Sequence, residues 1–182
     1  ISIFTEDQAM TEDVGYRVLL VDLLGYQQQS YVAEYLCSSG AMLTMATPFP
    51  QVGPNIGFTH IRGHLERLYK FGAELRTSTV VTRIVNGEVE LRHLYSKKTE
   101  VLSFDAVVAG TMAQADTSLL EIAHLFTDDV ILAGDAVAPR TALYAFREGD
   151  DANNSMKNAA NKILRSAHDD RRLKLSDQFC EL

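Results

Sequence analysis

Two stretches of this chain hold residue types that could grip a nucleotide. The first is Gly134-Asp135-Ala136-Val137-Ala138-Pro139-Arg140-Thr141, which follows a short apolar run and opens a long helical pattern. A carboxylate at a strand end can accept hydrogen bonds from sugar-like hydroxyls. The unbonded N–H groups at the start of a helix from Thr141 can face a pyrophosphate. The same residues read equally well as a plain helix entry, with Asp135 as a cap and Pro139 as the opening residue. The second stretch is the turn Asp22-Leu23-Leu24-Gly25-Tyr26-Gln27-Gln28-Gln29. A dinucleotide site asks here for G-x-G-x-x-G, because glycines allow the tight turn and let the backbone reach the pyrophosphate. Only Gly25 is present, and glutamines stand where small residues belong. The next apolar run ends Ala46-Thr47-Pro48, with neither an acid for ribose hydroxyls nor an arginine for a 2′-phosphate. Both NAD(P) signals are degraded together, as in a scaffold that kept the fold and lost the ligand. Titration with NADH is expected to give no saturable response in the micromolar range.

Other chemistry-bearing residues are sparse. His60 and His64 lie four apart on a predicted helix, but no third ligand accompanies them and Arg62 between them repels a cation. They read as surface histidines rather than a metal pair. His93, His124 and His168 stand alone, and no Ser–His–Asp or Cys–His arrangement is visible. The two cysteines, Cys37 and Cys180, form no CxxC pair, so a zinc or iron–sulfur site built from this chain alone is not expected. Cys37 falls among apolar helix residues and reads as a reduced core thiol, whereas Cys180 falls in a polar tail.

The elements that would position these residues alternate. Thr5 with Glu6, Asp7 and Gln8 reads as a capped short helix within an otherwise polar segment, 1–15. Arg17–Asp22 is a continuous apolar run, the pattern of a strand buried on both faces. Gln27–Ser38 is a helix ending before Gly40, and Ala41–Ala46 a second strand; together they make one βαβ unit. A Pro/Gly-rich loop covers 47–57. Phe58–Phe71 is helical, with Phe58, Ile61, Leu65 and Leu68 on one stripe, and Ala73–Leu75 is a short strand. Thr79–Val85 and Glu88–Tyr95 flank Asn86-Gly87, the strongest two-residue hairpin signal, and Thr99–Ser103 returns as a third strand. Asp105–Ala109 and Val130–Ala133 read as further buried strands, with a short helical stretch near Leu119–Phe126 between them. A long helix from Thr141 to about Ser166 carries Ala145, Gly149, Ala152, Met156, Ala159 and Ile163 at four- and three-residue steps, the pattern of a buried stripe. The expected fold class is α/β: a Rossmann-like, mostly parallel, doubly wound sheet with an antiparallel hairpin meander.

Composition fits a globular protein: 46% of the 182 residues are hydrophobic and 23% charged. A net charge of −7 excludes a nucleic-acid partner or an anionic membrane surface as the expected target. No signal peptide opens the chain and no apolar run has membrane length, so the expected location is cytoplasmic. Ile1 in place of an initiator methionine points to a piece of a longer protein.

The run Ile131-Leu132-Ala133-Gly134-Asp135-Ala136-Val137-Ala138-Pro139-Arg140, followed by Ala145 to Glu148-Gly149, resembles the closing signature of a known flavoprotein family. Its members are related to trimethylamine dehydrogenase, histamine dehydrogenase and 2,4-dienoyl-CoA reductase, the NADH:flavin oxidoreductases of the old yellow enzyme type. Val18–Asp22 with Gly25, Val32-Ala33-Glu34-Tyr35-Leu36, and Asp105-Ala106-Val107-Val108-Ala109-Gly110 resemble further stretches of it, and the likeness spans about 14–165. The resemblance implies a modular parent. A (β/α)₈ barrel would hold FMN and substrate, a cysteine cluster would hold an iron–sulfur centre, and two nucleotide-binding-type domains would follow. On this reading 1–15 is a linker with a short helix and 16–127 an NAD(P)-binding-like domain. Segment 128–166 is the returning strand and helix of the FAD- or ADP-binding domain, and 167–182 a mobile tail. The resemblance gives Gly134, Asp135, Ala136, Arg140 and Thr141 a partial FAD or ADP site, with Gly25 in the degraded turn. The partners implied are the N-terminal barrel, the first nucleotide-binding half and an electron-transfer protein. The degraded turn leans toward the amine dehydrogenases, which pass electrons to a protein acceptor, rather than the enoate or dienoyl-CoA reductases. The expected role is accessory: this part closes a nucleotide site and has no catalysis of its own. A different reading is a stand-alone interaction module with a relict dinucleotide fold. Without the parent's sheet, strand 130–133 and its helix are expected to dock on this domain's sheet, to pair with a second copy as a homo-oligomer, or to stay loose.

Overall fold

A computed structural model describes the backbone of residues 1–180 and the side chains of residues 1–162. The chain divides into two compact units, Ile1–Met112 and a second running from Ala113.

The first unit is built on a five-stranded parallel sheet. Its order is β1 (Ser2–Thr5), β8 (Ala106–Gly110), β2 (Arg17–Asp22), β3 (Met42–Ala46) and β4 (Glu74–Arg76). Three helices, α1 (Glu6–Ala9), α2 (Gln27–Ser38) and α3 (Phe58–Lys70), pack on one face. Ala9, Val32, Ala33, Leu36 and Leu68 meet Val18, Leu20, Leu43, Met45 and Val108 there. The other face is covered by an antiparallel sheet of β5 (Thr79–Val85), β6 (Glu88–His93) and β7 (Thr99–Ser103). Val89, Leu91 and Phe104 meet Leu19, Ala46 and Val107 on that side. Strand residues alternate between faces, so burying both faces demands an unbroken apolar run, as at Val18–Val21. The fold class stands as α/β with a parallel Rossmann-like sheet, and the meander forms the second layer where a doubly wound sheet usually has helices. Asn86 and Gly87 both take positive φ, 53° and 84°, as a tight primed hairpin turn requires. Thr5 caps α1, its hydroxyl accepting the Gln8 N–H at 3.2 Å while Gln8 Oε1 accepts the Thr5 N–H at 2.9 Å.

Two expectations about this unit fail. Residues 2–5 form an edge strand, with Ile3 and Phe4 in register with Val107 and Val108. Its residues are mostly exposed, so no burial pattern announces it. On α3, Leu68 is buried and Ile61 and Leu65 partly so, but Phe58, at the first turn, is 87% exposed.

The second unit holds α4 (Leu120–His124), a 3₁₀ turn at Gly134–Ala136 and α5 (Ala142–Cys180). Val130–Ala133, expected as a strand, pairs with no neighbour among the described residues. Ala133 is extended, at φ −147° and ψ 156°, but a strand needs a ladder partner as well as an extended backbone. The helix continues beyond Ser166 through most of the segment expected as a tail. Its expected stripe is not buried: Ala145 and Ala152 are half-covered, and Gly149, Met156 and Ala159 are exposed. Ile163 lies outside the described side chains. Periodicity shows that a helix has an apolar stripe; it does not show what covers it. No helix among the described residues is long and apolar enough to cross a membrane.

Candidate functional site

The turn after β2 is closed by its own residues. Asp22 is fully buried, and its Oδ1 accepts the N–H groups of Leu24 at 3.0 Å and Gly25 at 2.7 Å. These are backbone donors that a bound phosphate would use. Oδ2 has no partner. Burial pushes the Asp22 carboxyl above its ordinary range, and the two backbone bonds offset only part of that. Gly25 has φ +66°, and a Cβ there would lie 2.5 Å from Pro54 Cδ. The loop after β3 is tied onto the turn: Asn55 N–H donates to the Gly25 carbonyl at 3.0 Å and Asn55 Nδ2 to the Leu24 carbonyl at 2.7 Å. Gln29, also buried, accepts the Tyr26 N–H on Oε1 at 3.2 Å and donates from Nε2 to Glu6 Oε1 at 2.7 Å. It lies against Gly110, the register partner of Asp22, where a Cβ would come 2.9 Å from Gln29 Cγ. Burial also raises the Glu6 carboxyl; the Gln29 bond opposes this, while the Asp22 and Asp7 charges add to it. A pyrophosphate does not fit this turn as folded. The Leu24, Gly25 and Tyr26 N–H groups are taken, Pro54 fills the approach, and the Asp22 and Glu6 carboxyls stand beside the turn. The glutamines and the lone glycine were the sequence signal for this.

The Gly134–Thr141 segment is arranged differently. Gly134 takes φ +65° and opens the 3₁₀ turn, with its carbonyl accepting the Val137 N–H at 3.0 Å. Its own N–H donates to Glu148 Oε2 at 2.9 Å. The other Glu148 oxygen pairs with Arg140. Arg140 also donates from Nε to the Ala138 carbonyl at 3.2 Å, and its guanidinium lies 4.6 Å from the Tyr144 ring centroid. Asp135 is exposed, and its carboxylate has no hydrogen-bond partner among the described residues. The Thr141 carbonyl accepts the Tyr144 N–H at 2.9 Å, so the helix starts here and the N–H groups of Ala142 and Leu143 have no intrahelical acceptor. The structure thus gathers Gly134, Asp135, Ala136, Arg140 and Thr141 into one turn and helix entry, while Gly25 belongs to the other unit. The donor set, an open carboxylate and open helix N–H groups, suits sugar hydroxyls and phosphate. Glu148 was not singled out from sequence. It stood only within the run 131–149 that carried the family resemblance, and no local pattern assigned it a contact with Gly134 or Arg140.

His64 corrects another expectation. His60 is exposed as foreseen, but His64 is 2% exposed between α2 and α3. Its Nδ1 contacts Glu34 Oε1, and Arg67 forks onto the same carboxylate at 2.7 and 3.0 Å. Gln27 Nε2 lies 3.5 Å from His64 Nε2, and Tyr31 packs edge-on at 5.0 Å. Sequence spacing showed the histidine pair on one helix but not the acid waiting on the other. Burial pushes Glu34 up, yet the Arg67 and His64 contacts together hold it below its ordinary range. Cys37 is buried and free, and burial beside Glu34 pushes its thiol up to about 11. It is inert at neutral pH. Cys180 lies outside the described side chains.

No known family profile matches the chain, and no curated protein matches it in sequence. Solved structures do match in shape. Histamine dehydrogenase from Rhizobium sp. 4-9 superposes with a TM-score of 0.72 at 24% identity, over 84% of this chain and 26% of that one. 6-Hydroxypseudooxynicotine amine oxidase from Pseudomonas geniculata N1 gives 0.72 at 19% identity, over 82% and 24%. 2-Naphthoyl-CoA reductase gives 0.69 at 19% identity, over 81% and 22%. The chain spans about a quarter of the length of these proteins. At such identities the likeness is one of fold, and this chain has the fold of a quarter-length portion of these redox enzymes, the group to which residues 131–149 pointed.

Proposed function

We propose that this chain is the C-terminal accessory portion of a flavin-dependent oxidoreductase, of the amine dehydrogenase or enoate and dienoyl-CoA reductase type. It closes a FAD or ADP site and supports electron transfer, and it is not catalytic alone. One observation carries the reading: the turn after β2 is filled by Asp22, Gln29 and Pro54, while Gly134–Thr141 keeps the Asp135 carboxylate and the first α5 N–H groups open. Asp135 would hold ribose or ribityl hydroxyls, and the entry to α5 would face phosphate. The remaining half of that site, together with the FMN barrel and the iron–sulfur cluster, would come from preceding sequence. The flavin supplies the redox chemistry when bound. An electron-transfer protein is the proposed partner and the cytoplasm the proposed compartment. NAD(P) is not a proposed ligand of the turn after β2, where the Asp22 carboxyl and Pro54 occupy the place of a pyrophosphate.

The full-length protein tests this. It is expected to be yellow and to release FAD or ADP on denaturation, and Asp135→Ala should lower that nucleotide's stoichiometry without touching FMN. Colourless protein with no releasable nucleotide would favour the alternative, an interaction module on a relict fold.

A further inference from the structure

We infer that Glu148 is the positioning residue of the Gly134–Thr141 segment, with Arg140 as its latch rather than a phosphate ligand; this rests on the reading of that segment as nucleotide-facing. Glu148 sits on the second turn of α5 and reaches both ends of the segment. One oxygen accepts the Gly134 N–H at 2.9 Å and the other holds Arg140. The side chains of Glu148 and Arg140 are 22% and 35% exposed, so the pair is partly shielded from water. Arg140 is further fixed by the Ala138 carbonyl at 3.2 Å and the Tyr144 ring at 4.6 Å.

An arginine near a helix entry is usually read as an anion ligand. This one has its charge met by a carboxylate and its plane laid on an aromatic ring. What remains open is the Asp135 carboxylate and the α5 N–H groups. Among the described residues, the hydrogen bonds that hold the segment between Gly134 and Arg140, apart from those of Glu148, are local ones, such as Val137 and Ala138 N–H to the Gly134 carbonyl at 3.0 and 3.3 Å. The Glu148 clamp therefore sets where Asp135 stands relative to the helix entry. A ligand meets a turn already ordered, which lowers the cost of binding.

The test uses the full-length protein with Glu148→Ala, Glu148→Gln, Arg140→Ala, Arg140→Lys and the Arg140→Ala/Glu148→Ala pair. Amide exchange over residues 131–141 is read without added nucleotide. FAD affinity and the position of the visible flavin band are read by titration. Exchange should speed up in both alanine variants, and FAD should bind about tenfold more weakly in each, the size of one charged hydrogen bond. The double variant should be no worse than Glu148→Ala, since the residues act as one device. Glu148→Gln keeps an acceptor for Gly134 and should fall between, with the flavin band closer to the parent; Arg140→Lys should rescue part of the Arg140→Ala loss. Weaker FAD binding in Arg140→Ala with none in Glu148→Ala would make Arg140 a phosphate ligand and overturn the inference. Unchanged exchange in every variant would overturn it too. Faster exchange in a protein that binds neither FAD nor ADP would uphold the clamp and sink the nucleotide reading instead.

Discussion

Asp22 and Gly25 show how single residues close a turn that the fold would otherwise leave open. The Asp22 carboxyl is raised by burial, so its folded value lies above its unfolded one. Its contribution to stability is complete below the ordinary carboxylate range and is lost as pH rises through the raised value; Glu6 acts in the same window. Asp22→Asn keeps an acceptor for Leu24 and Gly25 and removes the buried charge. That variant should be more stable than the parent to urea near pH 8, by about 1 kcal/mol, with the gap closing near pH 4. Gly25→Ala meets both a positive φ and Pro54 Cδ at 2.5 Å, and should cost roughly 2–4 kcal/mol in the same assay. Gly87→Ala, also at positive φ but with nothing near its Cβ, should cost only about 1 kcal/mol. Glutamines where glycines belong were legible in the sequence. The proline that fills the space, far along the chain, was not, because contact across a fold leaves no local pattern.

At the scale of elements, α2 and α3 are joined by the Glu34–His64–Arg67 cluster as well as by apolar packing. Here the sign runs opposite to Asp22. Burial raises Glu34, but its two cationic or donor partners outweigh that and hold it low. Its stabilisation is present above the ordinary carboxylate range and is lost as pH falls through the lowered value. Glu34→Gln should therefore destabilise by about 1–2 kcal/mol at neutral pH, less than a fully buried pair because Arg67 is half-exposed. The difference should shrink in acid, which urea unfolding across pH would show. Elements with a strong period, such as Gln27–Ser38 and the Asn86-Gly87 hairpin, were readable to within a residue or two. β1 was missed because an exposed edge strand carries no burial alternation. Val130–Ala133 was read as a strand from its apolar run, although a run specifies burial and not a partner.

Across the whole chain, the two units differ in what they bury. Residues 1–112 hold two cores on either face of a parallel sheet. From Ala113 to Lys162 no residue is buried, and Phe126, Leu125 and Phe146 are 84%, 81% and 79% exposed. A helix stripe left uncovered contributes little to stability, since most helical stability in proteins comes from packing an apolar face. Hydrogen exchange on the 182-residue chain should therefore find the β2, β3 and β8 amides protected and the α5 amides open within minutes. On the proposed function, a parent sheet would cover Val130–Ala133 and α5 in the full-length protein, and the same α5 amides should slow by on the order of a hundredfold. The contrast between the two samples matters more than either value. If α5 is as slow in the chain alone as in the longer protein, its apolar residues have found cover without the parent. The proposal that the second unit is one half of a shared nucleotide domain would then lose its physical basis, and the interaction-module reading would gain it.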